Sequence, residues 1–160
     1  MQCFVYGSNL TDDRTRKNRG IVAFAVPDIG LMFKGGFTGS QPECEYMSLL
    51  TLLRFVEQNP KAFSQARLDI LSDAAAMVYQ VCGKAPATGL AARYLPTISH
   101  YREKLNFTVH WVPRKENSAI EGIYDLPPLK SAPPLNTRFG DPPREKKKPD
   151  SPRRGPHLGI

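Results

Sequence analysis

The sequence predicts an α/β domain over residues 1–124, followed by a proline-rich basic tail over residues 125–160. Three observations lead there. Short apolar runs alternate with stretches of helical periodicity, in the order βββ-α-β-α-α-β-α. Composition changes sharply near Asp125. The apolar share, 41% of 160 residues, is enough to close one core.

Each element has its own local reason. Cys3-Phe4-Val5-Tyr6 is a short apolar run ended by Gly7-Ser8-Asn9, which reads as a strand and a turn. Thr11 to Arg19 is polar and carries Arg14, Arg16, Lys17 and Arg19, which reads first as a solvated turn. Gly20 to Val26 and Leu31 to Phe37 are two more strands, joined by the turn Pro27-Asp28-Ile29-Gly30. Short connections make the three an antiparallel meander.

A helix then starts at Ser40 or Gln41, because Pro42 suits the first helical turn. Glu43 and Glu45 favour the positive end of its dipole. Met47, Leu50 and Leu53, with Leu49, Leu52 and Val56, recur at three and four residues and need a sheet to pack on. Asn59-Pro60 ends the helix. Leu68 to Leu71 is the fourth strand, and Ser72-Asp73 is placed to cap a helix from Ala74 to about Cys82, before Gly83. A further helix spans roughly Ala92 to Leu105, bent or delayed by Pro96. Phe107 to Val112 is the fifth strand, and a short helix is expected from about Asn117 to Tyr124.

Nine of the fifteen prolines lie after Asp125, where few large apolar residues remain to offset the entropy of ordering. The tail is therefore expected to be disordered or polyproline-like. Net charge is +7. The tail holds eight Lys/Arg against four Asp/Glu and the body fourteen against eleven, so over half the excess is in the tail. Positive charge is compatible with phosphate-rich partners and does not identify one. No stretch is long and apolar enough for a transmembrane helix, and the N-terminus lacks the pattern of a signal peptide. Cys3, Cys44 and Cys82 are odd in number, distant and flanked by apolar residues. They are expected to be buried free thiols of a reducing, cytoplasmic compartment.

Four junctions in this order resemble the ribonuclease H family. Phe4-Val5-Tyr6-Gly7-Ser8 is similar to the family's first strand, which ends in T-D-G-S. Glu43-Cys44-Glu45-Tyr46-Met47-Ser48-Leu49-Leu50 is similar to its A-E-x-x-A-L helix. Leu68 to Asp73 matches a strand ending in S-D before a helix, and Val109 to Asn117 resembles V-P-R-x-x-N leading into a helix with an acidic residue. The short segment between Gly83 and Leu105 is like that of members lacking the basic handle insertion. The resemblance implies a five-stranded mixed sheet, three antiparallel strands then two parallel, flanked by helices.

It also implies four carboxylates holding two divalent cations, Mg2+ or Mn2+, for phosphodiester hydrolysis. Carried over by position, Glu45, Asp73 and Glu121 fall on catalytic, metal-binding places. The first aspartate is replaced by Tyr6, and a neutral phenol is no substitute for a hard anionic ligand. Asp12 and Asp13 lie beyond the strand end. Taken singly, Glu45 reads as a helix-terminus charge and Asp73 as a cap. Ser8, Asn9, Ser40 and Gln41 correspond to the family's nucleic-acid contacts. Arg114, Lys115 and Asn117 flank the acidic pocket and could meet phosphate, or could form a solvated loop and a cap. His110 reads as structural.

The leading expectation is a nucleic-acid-binding protein, for RNA–DNA hybrid or structured RNA or DNA, with weak or lost cleavage. An active magnesium-dependent ribonuclease H is the first alternative. A scaffold that offers its proline-rich tail to a protein partner is the second.

Overall fold

In the computed structural model, residues 1–10 and 19–120 are described. Asp12, Asp13, Arg14, Arg16, Lys17, Glu121 and the tail lie outside the described residues, as does the boundary expected near Asp125. Five strands form one sheet in the order β3-β2-β1-β4-β5: β1 Gln2–Asn9, β2 Gly20–Val26, β3 Leu31–Phe37, β4 Leu68–Ser72 and β5 Phe107–Trp111. The first three pair antiparallel, while β1 with β4 and β4 with β5 are parallel. Among the described residues the helices complete at both ends are α1 Gln41–Gln58, α2 Ala75–Val81 and α3 Leu90–Lys104. This is the mixed α/β sheet read from the sequence. Among the described residues, no helix is long and apolar enough to cross a membrane.

Local chemistry accounts for most element ends. The turn between β2 and β3 is a 3-10 helix, Pro27–Ile29, closed by Gly30 at φ 63°, a left-handed conformation that glycine adopts without strain. Ser40 caps α1 through a capping box: its hydroxyl accepts from the Glu43 N–H, and the Glu43 carboxylate accepts from the Ser40 N–H at 2.7 Å. Pro42 occupies the first turn, where no N–H is needed.

Three local readings need correction. Gly7-Ser8-Asn9 is not a turn but the end of β1, because β2 runs alongside it and pairs Gly7 with Val22, Ser8 with Ile21 and Asn9 with Gly20. Helix α2 is shorter than expected and starts without a side-chain cap from Asp73; only the Ser72 hydroxyl accepts there, from the Ala74 N–H at 3.2 Å. Pro96 stands inside α3 without delaying it. Pro96 and Ala92 are both exposed, so the carbonyl deprived of its helical donor lies on the wet side.

The larger core lies between the sheet and the helices. Leu49, Leu52 and Leu53 of α1 are fully buried with Val5, Phe24, Ile70 and Ile98. Each such leucine contributes about 1.5–3 kcal/mol of apolar burial. Phe24 stacks on Phe33 at 5.0 Å and tilts against Phe55 at 5.3 Å, which ties β2, β3 and α1 together. On the opposite face a smaller cluster gathers Phe4, Tyr6, Ala23 and Ala25 beneath Ala119 and Ile120. Residues 118–120 are helical there, at the start of the expected last helix. Cys3 and Cys44 are buried free thiols, and burial pushes Cys3 up to about 11. Cys82 corrects the expectation: it is exposed, because α2 ends at the sheet edge, and its thiol donates to the Val109 carbonyl.

One glycine fixes the distance between the layers. A Cβ on Gly7 would collide with the Cys44 carbonyl and crowd the Glu45 N–H. The α1 backbone therefore lies directly on β1. Gly7→Ala is expected to lower unfolding stability by about 1–3 kcal/mol, as overpacking does, read as a reduced urea midpoint with an unchanged slope.

Candidate functional site

The site forms where β1 changes partners. Val5 pairs with Ser72 across the parallel β1–β4 ladder. Tyr6 and Asp73 are the next residues on each chain, so alternation puts both on the face opposite Val5. Glu45 enters from the first turns of α1, which Gly7 holds against the same strand. The fold thus brings Glu45 within the influence of Asp73, with Tyr6 next to Asp73 along the β1–β4 ladder.

Each side chain is held by a specific partner. Gln41 braces Glu45: its amide nitrogen donates to Glu45 Oε1 at 2.9 Å and to the Gly7 carbonyl at 3.1 Å, and its oxygen accepts from the Asn9 N–H at 2.8 Å. Asn117 braces Asp73: its buried amide donates to Asp73 Oδ1 at 2.8 Å and to the Val5 carbonyl at 2.9 Å, while its oxygen accepts from the Ala119 N–H at 3.1 Å. One residue therefore joins β1, the end of β4 and the start of the last helix. Arg114 sits in the 3-10 turn Arg114–Glu116 and donates to the Tyr6 phenol oxygen at 2.9 Å, its guanidinium 5.6 Å from the ring centroid.

The expected nucleic-acid contacts divide. Ser40 and Gln41 are engaged in the capping box and the Glu45 brace. Asn9 ties β1 to the α1 entrance by donating to the Gly39 carbonyl at 2.7 Å, and Ser8 is buried. Arg114 and Lys115 are exposed in the 3-10 turn that precedes Asn117, the residue bonded to Asp73. Asn117 is a brace and a cap. His110 lies on β5 with its Nε2 2.9 Å from the Thr108 hydroxyl, which also meets Asp69 at 3.0 Å; it contributes nothing to the site. A wide groove lined by Lys84, Arg102, Lys104 and His110 at the β5 edge is likewise separate from Glu45 and Asp73. Sequence reasoning missed the bracing roles of Gln41 and Asn117. The i,i+4 spacing of Gln41 and Glu45 was the available signal for the first.

Burial raises the Glu45 pKa above the ordinary carboxylate value, and repulsion from Asp73 adds to it, against the hydrogen bond from Gln41. The two carboxylates therefore sense each other. A pair of divalent cations needs more than two such groups. Among the described residues no three Asp, Glu, His or Cys side chains gather into a metal-binding group. At position 6, where the resemblance leads one to expect a carboxylate, the chain has a phenol that accepts from the Arg114 guanidinium. Among the described residues the set is two carboxylates and a phenol, fewer hard anionic oxygens than two Mg2+ ions take.

Solved structures share this architecture. A ribonuclease H1 called LC11, crystallised with an RNA/DNA hybrid, superposes with a TM-score of 0.61 at 13% identity, over 75% of this chain and 91% of that one. The structure of LC11 ribonuclease H1 isolated from compost gives 0.62 at 15%, over 75% and 89%. Ribonuclease H1 from the archaeon Halobacterium salinarum gives 0.55 at 16%, over 74% and 91%. The fold is that of ribonuclease H. No protein-family model matches the sequence, and no curated protein does.

Two outcomes follow from the bracing. A carboxyl whose pKa is raised by folding favours the folded state below its unfolded pKa, and this contribution is lost as pH rises through the folded value. Glu45→Gln is therefore expected to stabilise the protein at about pH 7.5 and to change it little near pH 4, in urea unfolding at both. Asn117→Ala should cost about 2–4 kcal/mol, since it leaves a buried carbonyl unpaired and frees the helix start, read the same way.

Proposed function

We propose that this protein binds nucleic acid, RNA–DNA hybrid or structured RNA or DNA, through the face that carries Glu45, Asp73, Arg114 and Lys115, and that cleavage there is weak or lost. The observation that carries the reading is the Arg114–Tyr6 contact at the place where the resemblance requires an aspartate. The ligand class rests on the shared fold and on the hybrid bound by LC11 ribonuclease H1. The mild basic excess of the body and the stronger one of the tail favour a polyanion.

The chain's own groups define what the site does. The exposed Arg114 and Lys115 offer donors to backbone phosphates, which gives position without sequence preference. Gln41 and Asn117 hold the two carboxylates in fixed places, and Tyr6 closes the small core beneath them. Among the described residues, one oxygen each of Glu45 and Asp73 is held by an amide donor, and Ser8 is buried at the end of β1. The tail is a second, loosely electrostatic contact.

The test uses the full chain with labelled RNA–DNA hybrid, with and without Mg2+ or Mn2+, beside Asp73→Asn. Binding that weakens by at least tenfold between about 50 and about 200 mM salt, without metal-dependent cleavage, is the expected result. Metal-dependent cleavage abolished by Asp73→Asn would overturn the loss of activity. Absence of both binding and cleavage at low salt would move the function to the proline-rich tail and a protein partner.

A further inference from the structure

We infer that the open edge of β5 takes an extended acidic segment of a partner protein as an added strand. The inference is independent of the nucleic-acid reading and uses no residue of the site already described.

Strand β5 ends the sheet, so one of its sides has no neighbouring strand. Its register fixes which groups face outward. The Leu68 N–H donates to the Asn106 carbonyl and the Val112 N–H to the Ser72 carbonyl, both at 2.9 Å. Even-numbered residues therefore turn their main chain to β4, and Phe107, Val109 and Trp111 turn theirs away. Among the described residues one bond reaches that outer row: the Cys82 thiol donates to the Val109 carbonyl at 3.3 Å. Such a row of donors and acceptors is a template for another strand. Edges are commonly blunted by a lysine, a proline or a bulge, and Phe107-Thr108-Val109-His110-Trp111 has none of these. It ends on Trp111, 47% exposed, a side chain suited to interfaces by its apolar body and polar N–H. Phe107 and Val109 are buried in the main core and anchor the strand.

The groove beside this edge sets the chemistry of the occupant. Lys84 and Arg102 line it, with Glu103, Lys104 and Cys82. Lys104 is committed to Glu57 at 2.9 Å. Arg102 donates to the Val81 carbonyl at 2.9 Å and lies over the Phe107 ring, both uncharged partners. Among the described residues no carboxylate meets Arg102 or Lys84. Glu103 stands 3.8 Å from His100. Two exposed cations thus lie beside the open main-chain row. A nucleic acid would satisfy the cations but not the carbonyls of Phe107 and Trp111, because phosphate oxygens only accept. A second copy paired edge to edge would set one basic groove beside another. The proline-rich tail would add cations, with its eight Lys/Arg against four Asp/Glu. An extended segment bearing Asp or Glu offers carboxylates to Lys84 and Arg102, and both donors and acceptors to the row.

Two reporters sit on this edge. Trp111 is the only tryptophan of the chain, and Cys82 is an exposed thiol, whereas Cys3 and Cys44 are buried. The full chain is titrated with a peptide of about eight residues, alternating Glu and Val. Binding is followed by Trp111 emission and by the rate of Cys82 alkylation. Saturable binding below about 1 mM is expected, with a shifted emission and a protected thiol. Lys84→Glu should weaken it by about tenfold or more, since like charges then face each other. Circular dichroism checks that this variant folds.

Two further peptides test the charge and the main-chain row without altering the protein. One has Lys in place of Glu. The other keeps its charges but is methylated on every amide nitrogen and so has no donors. Neither is expected to bind. Equal binding of either one, or no binding of the acidic peptide, overturns the inference, as does unchanged affinity in folded Lys84→Glu. Protection of Cys82 by RNA–DNA hybrid and not by the acidic peptide would assign the groove to nucleic acid instead. A thiol already protected in the free chain would also overturn it. Protection relieved by dilution would then name a second copy as the occupant, and protection independent of concentration a segment of the same chain.

Discussion

The backbone of α1 rests on β1 at Gly7, and the placement of the candidate site follows from that contact. A side chain there would force helix and strand apart by the width of a methyl group. At the observed approach, Gln41 reaches both the Gly7 carbonyl and Glu45, so the helix that carries the acid is bonded to the strand that carries Tyr6. Position is thus set by main-chain packing and refined by one amide. That is a stiffer arrangement than a carboxylate held only by its own rotamer.

Asn117 is the counterpart on the other side. Its amide has three bonds, to β1, to Asp73 and to the helix that follows it, and none is to a neighbour in sequence beyond Ala119. A buried amide so used has little capacity left for a ligand. The two braces satisfy one oxygen of each carboxylate from within the protein.

Much of this was legible in the sequence, and the illegible parts share a cause. Strands β2 and β3 came out with the expected bounds because Gly20, Pro27, Gly30 and the run of apolar residues mark them locally. Helix α1 was readable from Ser40, Pro42 and the leucine period for the same reason. The end of β1 was misread because glycine, serine and asparagine favour turns, while the ladder to β2 overrode that preference. Asp73 looked like a cap, and a residue 44 positions away recruited it instead. Tyr6 was visible as a departure from the resemblance, but its guanidinium partner, 108 positions away, was not. Local chemistry is written in neighbours; bracing is written in contacts that only the closed fold brings about.

Strand β1 has a consequence for the order in which the molecule is made. Its partner on one side, β2, follows within the same meander, whereas its partner on the other, β4, begins at Leu68 and its Asn117 brace is 112 residues distant. During synthesis the growing chain therefore holds a paired hairpin with one raw hydrogen-bonding edge, in the strand that will become the centre of the sheet. Local contacts form first and distant ones wait for the chain. Helix α1 can settle on the meander early and cover its apolar face, but nothing covers the edge of β1 until Leu68–Ser72 arrives. For that interval the segment destined for the deepest position is the one most open to pairing with a stranger.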